Sequence, residues 1–311
     1  MHVLKVINLT KQFKDFVAVD NISFSLQKGE ILGFLGPNGA GKTTTIQMLL
    51  GILTPSHGHI SYFGKEFNAN REEILEKLNF SSTYTNLPWV LTVKENLTYT
   101  AHLYDIQDRK QRVKHIIKTF RLEELQNKPI SDLSAGQQTR VNLAKSFIND
   151  PEVVLLDEPT ASLDPETARF IREYILHKRE KDGISVLFTS HNMKEVEEVT
   201  DRVLFINHGK IIANDTPLNL AKSLDTTQLS LTLAPDHKEK LIVFAHQKNI
   251  PIKVHQKSVI LFIKDSQTSS ILNEIVKQRI VFADISIERP SLEDYFLKVA
   301  GNTPGSFADI V

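Results

Sequence analysis

Apolar residues along the first part of this chain change period several times, and each change marks an element. Gly29–Leu35 is a short apolar run that breaks into a glycine-rich turn, and Lys42–Gly51 then carries apolar residues at helical spacing. Thr54–His59 reads as a Pro/Gly turn leading to a strand over Ile60–Phe63. From about Val93 to Asp150 the pattern is mainly helical, with Pro129 marking one break. Val153–Leu156 and Ser185–Thr189 have the length and β-branched content of buried strands. Strands separated by helices predict an α/β domain with a mostly parallel sheet covered on both faces.

Around Pro217–Thr227 the character changes. Beyond it the pattern predicts strand Gln228–Leu233, helix His237–Gln247, strands Ile252–His255 and Ser258–Ile263, helix Thr268–Gln278 and strand Asp284–Glu288. That βαββαβ order is expected to build a small α+β, ferredoxin-like domain. A terminal helix follows, with Ser291 and Asp294 as a capping pair, and Asn302–Val311 reads as a frayed end. Leu292, Phe296 and Val299 recur at helical spacing, to pack on their own sheet or on the twin domain of a second copy. The domain limits are therefore set at 1–222 and 226–311.

Composition narrows the function. The 311 residues hold 37 Lys+Arg and 37 Asp+Glu, so no overall field argues for nucleic acid. There is no cysteine, which removes disulfides and thiolate metal sites. No signal peptide is read at the start and no apolar run reaches the ~18 residues of a spanning helix. A soluble chain is expected, which would work at a membrane only through a partner.

Gly36-Pro37-Asn38-Gly39-Ala40-Gly41-Lys42-Thr43 fits the phosphate-binding loop pattern, with Thr44 continuing into the helix. Its glycines let successive N–H groups curl around a β-phosphate, and the helix adds the positive end of its dipole. Lys42 is expected to reach the β- and γ-phosphates of ATP, and Thr43 to ligate Mg²⁺. Asp157 and Glu158 end a buried strand at the carboxyl edge of the sheet, where open α/β sheets bind ligands. Asp157 is expected in the Mg²⁺ shell, with Glu158 polarising the attacking water as general base.

Leu133-Ser134-Ala135-Gly136-Gln137-Gln138 reads locally as a helix start, capped by Ser134 with Gln137 three residues on. It also resembles the signature motif of ABC-transporter ATPases, with Ala135 where glycine is commoner. The resemblance implies that Ser134, Gly136 and Gln137 of one subunit close over the γ-phosphate held by the other, so that ATP joins two copies head to tail. Ala161–Asp164 is similar to the family's loop across that interface, and His191 lies where the family has its switch histidine. Phe13 lies where an aromatic stacks on adenine; the alternative for Phe13 is a core position.

One departure concerns the glutamine that such proteins usually carry before their helical insert, here about 84–145. Phe80–Tyr84 occupies its place, with Thr83 (or Ser82) at the metal-facing position. The neighbouring stretch Tyr84–Trp89 includes the lone tryptophan. Trp89 is expected to be a buried core residue, and the stretch to form part of the groove for a permease helix. The resemblance covers about residues 2–222, and Ile287–Leu297 is similar to the closing helix of the small appendix on exporter-type ATPases. It implies the ATP-hydrolysing motor of an exporter at the cytoplasmic face of the membrane, working as a homodimer on a separate permease, which mainly sets the cargo. Two rivals are a soluble ABC ATPase acting on ribosomes or DNA, which usually has two cassettes or a long coiled coil, and a regulatory subunit that binds ATP but hydrolyses it weakly.

Overall fold

The computed structural model describes residues 1–82 and 87–300, with the side chain of residue 300 excepted. The chain divides into two compact units, Met1–Pro217 and Leu218–Val311.

The first unit opens with β1 (His2–Phe13) and β2 (Phe16–Gln27), an antiparallel pair. Neither strand was expected. Register shifts along the pair break the two-residue alternation that would have revealed it, and Asn8 sits at a φ of 50°. Next come β3 (Ile31–Leu35), α1 (Lys42–Leu49), β4 (His57–Tyr62), β5 (Lys65–Glu66), α2 (Arg71–Glu76) and β6 (Leu78–Ser82). The strand expected from Ile60 thus begins at His57. Three helices follow, α3 (Val93–Ala101), α4 (Arg109–Thr119) and α5 (Ala135–Ser146). The unit closes with β7 (Val153–Asp157), α6 (Pro165–Asp182), β8 (Ser185–Thr189), α7 (Met193–Val199), β9 (Arg202–Asn207) and β10 (Lys210–Asp215).

These strands form two sheets. One is antiparallel, in the order β2-β1-β4-β5. The other runs β10-β9-β3-β8-β7-β6, parallel except for the edge strand β10. Every residue of β3, β7 and β8 is buried, as strands covered on both faces must be. Leu32 and Phe34 of β3 share one core with Leu9, Phe24 and Met48, and the Phe24 and Phe34 rings stack at 5.8 Å. The parallel strands all end at one edge, and their last residues and following loops hold Gly36–Lys42, Asp157–Glu158 and Ser190–His191.

The second unit contains nearly all of α8 (Pro217–Lys222), then β11 (Thr227–Thr232), α9 (Pro235–Gln247), β12 (Ile252–Val254), β13 (Ser258–Ile263), α10 (Thr268–Lys277), β14 (Asp284–Glu288) and α11 (Leu292–Ala300). The strands pair antiparallel in the order β12-β13-β11-β14, the ferredoxin-like arrangement. Alternate residues Leu229 and Leu231 face a core with Leu241 and Phe244 of α9 and Ile271 and Ile275 of α10. Helix α9 starts two residues before the expected His237, because Pro235 suits a first helical turn. Before α11, the Ser291 N–H donates to Asp294 at 2.7 Å and the Asp294 N–H to the Ser291 hydroxyl at 3.2 Å, a reciprocal cap.

Candidate active site

The loop between β3 and α1 owes two of its glycines to its own packing. A Cβ on Gly36 would lie 2.1 Å from the Ile206 carbonyl oxygen, and one on Gly41 2.5 Å from that of Ala18. Gly41 also holds φ at 108°, where side chains are strained. Gly39 differs: φ is 78°, yet a Cβ there would meet open space. Lys42 folds back across the loop, donating to the Gly36 carbonyl at 2.6 Å and the Pro37 carbonyl at 3.2 Å. Burial pulls its pKa below the ordinary lysine value, while Glu158 and Asp157 nearby push it up. The Thr43 side chain is exposed, and α1 has no acidic residue in its first turn to offset its positive end.

Asp157 is the last residue of β7 and is buried. Both its oxygens are held: Oδ1 accepts from the Thr189 hydroxyl at 2.7 Å and Oδ2 from the Ser82 hydroxyl at 3.1 Å. The strand register explains the grouping, since Ser82, Asp157 and Thr189 are paired neighbours at the ends of β6, β7 and β8. The Thr189 oxygen also accepts from the Glu158 N–H at 3.0 Å, so one hydroxyl holds the Asp157 side chain and the Glu158 backbone, whose φ is 55°. The Glu158 carboxylate accepts from the His191 N–H at 3.2 Å and lies 3.4 Å from His191 Nε2. Burial raises the Glu158 pKa, opposed by His191 and Lys42.

Behind this row lies a buried carboxylate, Glu195 of α7. It accepts from the Thr160 hydroxyl at 2.6 Å and the Ser190 hydroxyl at 3.1 Å, and pairs with Arg172 of α6 at 2.9 Å. Thr160, two residues after Glu158, and Ser190, just before His191, are thereby tied to one point. Sequence reasoning missed Thr189 and Glu195. For Thr189 the available signal was a polar last residue directly after the apolar run Val186–Phe188; a helical glutamate four residues after His191 offers none.

The structure thus brings Lys42, Asp157, Glu158 and His191 together. Ser134 stands apart from this cluster in its bonding: it caps α5, and it and Gln137 are joined in a local capping box. Gly136 has a packing reason of its own, since a Cβ would lie 2.8 Å from the Ser162 carbonyl oxygen, in the loop that Asp164 ends as the cap of α6. Phe13 is 45% exposed, with the Lys11 ammonium 5.1 Å from its ring centre, so the core alternative for it is excluded. Trp89 corrects an expectation. It is 70% exposed, because the Trp89–Val90 turn before α3 points outward while Leu87 faces in. Thr83 lies outside the described residues. The oxygen donors at the site, the Asp157 carboxylate and the Thr43 hydroxyl, suit Mg²⁺, a hard cation that arrives with phosphate oxygens and keeps several waters.

The family model described as ABC transporter matches residues 19–161. Over nearly its whole length the chain is similar to the bacitracin transport ATP-binding protein of Bacillus licheniformis, 31% identical over 300 residues, with 96% of this chain and 97% of that one covered. It is also similar to Nod factor export ATP-binding protein I of Burkholderia lata, 33% identical over 300 residues, with 94% and 95% covered. Among solved structures, a dimeric bacterial ABC transporter cassette superposes with a TM-score of 0.64 at 26% identity, covering 68% of this chain and 98% of its own.

Proposed function

The chain belongs to the ABC transporter family of ATP-binding subunits, and from that premise we propose that two copies close around Mg²⁺·ATP and drive a separate membrane-spanning permease of an exporter. It is the ATP-hydrolysing subunit of a transporter. The contact chain His191–Glu158–Thr189–Asp157 beside Lys42 supports the site assignment most directly. In this reading the β- and γ-phosphates draw Lys42 off the loop carbonyls it now occupies, exchanging two neutral acceptors for charged ones. The N–H groups of residues 36–44 cradle the phosphates. Asp157 and Thr43 hold the magnesium ion, which when bound supplies charge neutralisation on the phosphate oxygens. Glu158 accepts a proton from the attacking water, and His191 orients Glu158 and contacts the γ-phosphate. Phe13 stacks on adenine.

Ser134, Gly136 and Gln137 of one copy cover the γ-phosphate bound by the other, consistent with the dimeric cassette similar to this chain. Among the described residues no helix is long and apolar enough to cross a membrane, so attachment to the cytoplasmic face is assigned to the permease. Exposed Trp89 and Val90 are proposed as part of the surface it docks on. The export direction rests on the name of the Burkholderia relative. The second unit is proposed as an accessory domain that raises the local concentration of the second copy.

The test is Glu158→Gln. It should bind Mg²⁺·ATP, accumulate as an ATP-locked dimer on size-exclusion chromatography, and hydrolyse at least about a hundredfold more slowly. Robust hydrolysis by that protein removes Glu158 from the base role.

A further inference from the structure

A second site candidate lies in the helical insert, away from the phosphate loop. Helices α3 and α4 enclose a cleft of about 820 Å³, within the size range of ligand sites. Its floor includes the buried side chains Val113 and Ile117, and its lining includes Lys94, Lys110, Lys114 and Lys118. The spacing explains the grouping. Lys110, Lys114 and Lys118 recur every four residues along one face of α4, flanking Val113 and Ile117.

Nothing in the fold accounts for these lysines. All four are exposed, and among the described residues none forms an ion pair, whereas Arg169, Arg172, Lys178 and Arg179 of helix α6 all do. The lining holds two carboxylates, Glu123 and Asp108, which caps α4 through the Gln111 N–H at 2.9 Å, against four lysine ammonium groups. Lysines spaced by four repel one another along a helix. The first turn of α4 reads Arg-Lys-Gln-Arg with no acid, placing cations where the helix dipole disfavours them. Arg109 and Arg112 are offset by backbone carbonyls of residues 101, 104, 147 and 148, while Lys110 has no such partner. Local choices that weaken a helix without structural return point to a ligand.

We propose that this cleft binds anionic phospholipid of the membrane on which the transporter sits. An apolar floor under an ammonium rim fits an amphiphile, with lysine stems lying along apolar surface and their heads meeting a phosphate. A free inorganic anion would have no use for the floor. The inference goes beyond the ATP chemistry and is read separately from it, since vesicle partition needs no nucleotide and hydrolysis needs no vesicle.

The experiment is flotation of the full-length protein with vesicles of phosphatidylcholine alone or with phosphatidylglycerol added, without nucleotide. Partition is expected only onto the anionic vesicles and should fall steeply by about 0.5 M salt. Each lysine near an anionic surface contributes about fivefold, so K110Q/K114Q/K118Q should partition on the order of a hundredfold more weakly while its Tm holds or rises and its ATP hydrolysis in solution is kept. If the triple variant does not fold, K114Q alone, with a loss of about fivefold, is the measurement. Equal partition onto neutral vesicles overturns the proposal, as does undiminished partition of the variants. Displacement from anionic vesicles by millimolar inorganic phosphate would make it a soluble-anion site instead. Loss of permease copurification with unchanged vesicle binding would make it a protein-docking surface.

Discussion

Thr189→Val tests the candidate site at a residue that touches no substrate. Valine keeps the shape and loses the hydroxyl, which donates to Asp157 Oδ1 at 2.7 Å and accepts from the Glu158 N–H at 3.0 Å. Thr189 and Asp157 are both buried, so water cannot readily replace either bond. A buried polar group left without its partner costs about 1–3 kcal/mol, and two such groups give about 2–6 kcal/mol. In a unit of this size, at about 2–4 °C per kcal/mol, that lowers Tm by about 4–24 °C. Function should change in a particular way. The Asp157 carboxylate keeps only the Ser82 hydroxyl to orient it, and loss of such a supporting bond typically weakens metal binding by about 10–100-fold. The half-saturating Mg²⁺ concentration for ATP hydrolysis should therefore rise by about that factor. Thr189→Ser, which retains the hydroxyl, should restore it while repairing Tm incompletely. The assay is hydrolysis against free Mg²⁺ at fixed ATP, with thermal melts of all three proteins. Magnesium curves that coincide for the valine and serine variants would refute the linkage between Thr189 and the metal site, whatever happens to Tm.

A base acts when ionised, and burial raises the Glu158 carboxyl above its ordinary 4.5. Hydrolysis should therefore be present above that raised pKa and be lost as pH falls through it. With the ionisation of ATP measured separately, the acid limb of kcat/KM should centre above pH 4.5, and a limb at or below 4.5 would contradict the assignment. Gly136→Ala should lower Tm although alanine favours helix by about 1 kcal/mol, because its Cβ would crowd the Ser162 oxygen at 2.8 Å; a raised Tm would show that the loop gives way without cost. A protein shortened to residues 1–225 should keep its maximal hydrolysis rate per dimer within about a few-fold but need a higher protein concentration to reach it. Identical rate-against-concentration curves would remove the second unit from dimerisation.

Features whose parts are neighbours in the chain were legible from the residues alone. The phosphate loop and its helix, the caps at Ser134 and Ser291, the buried strands Val153–Leu156 and Ser185–Thr189, and the βαββαβ order after Thr227 each follow from contiguous residues and a local period. The strands from His2 to Gln27 were not legible, because bulges interrupt their alternation and their partners lie in another strand. Trp89 shows the limit of residue type as a guide to burial: turn geometry, which hydropathy does not encode, turns it outward. The rest was decided by tertiary structure, where parallel pairing sets residues from distant segments side by side. Only the register of β6, β7 and β8 sets Ser82 and Thr189 on either side of Asp157. Only the packing of α6 and α7 beside the strand ends brings Arg172, Thr160 and Ser190 to Glu195. The motifs name the reacting groups because that chemistry needs particular side chains at short spacing. The groups that hold them can come from any strand or helix that ends nearby, so their identity depends on the folded sheet.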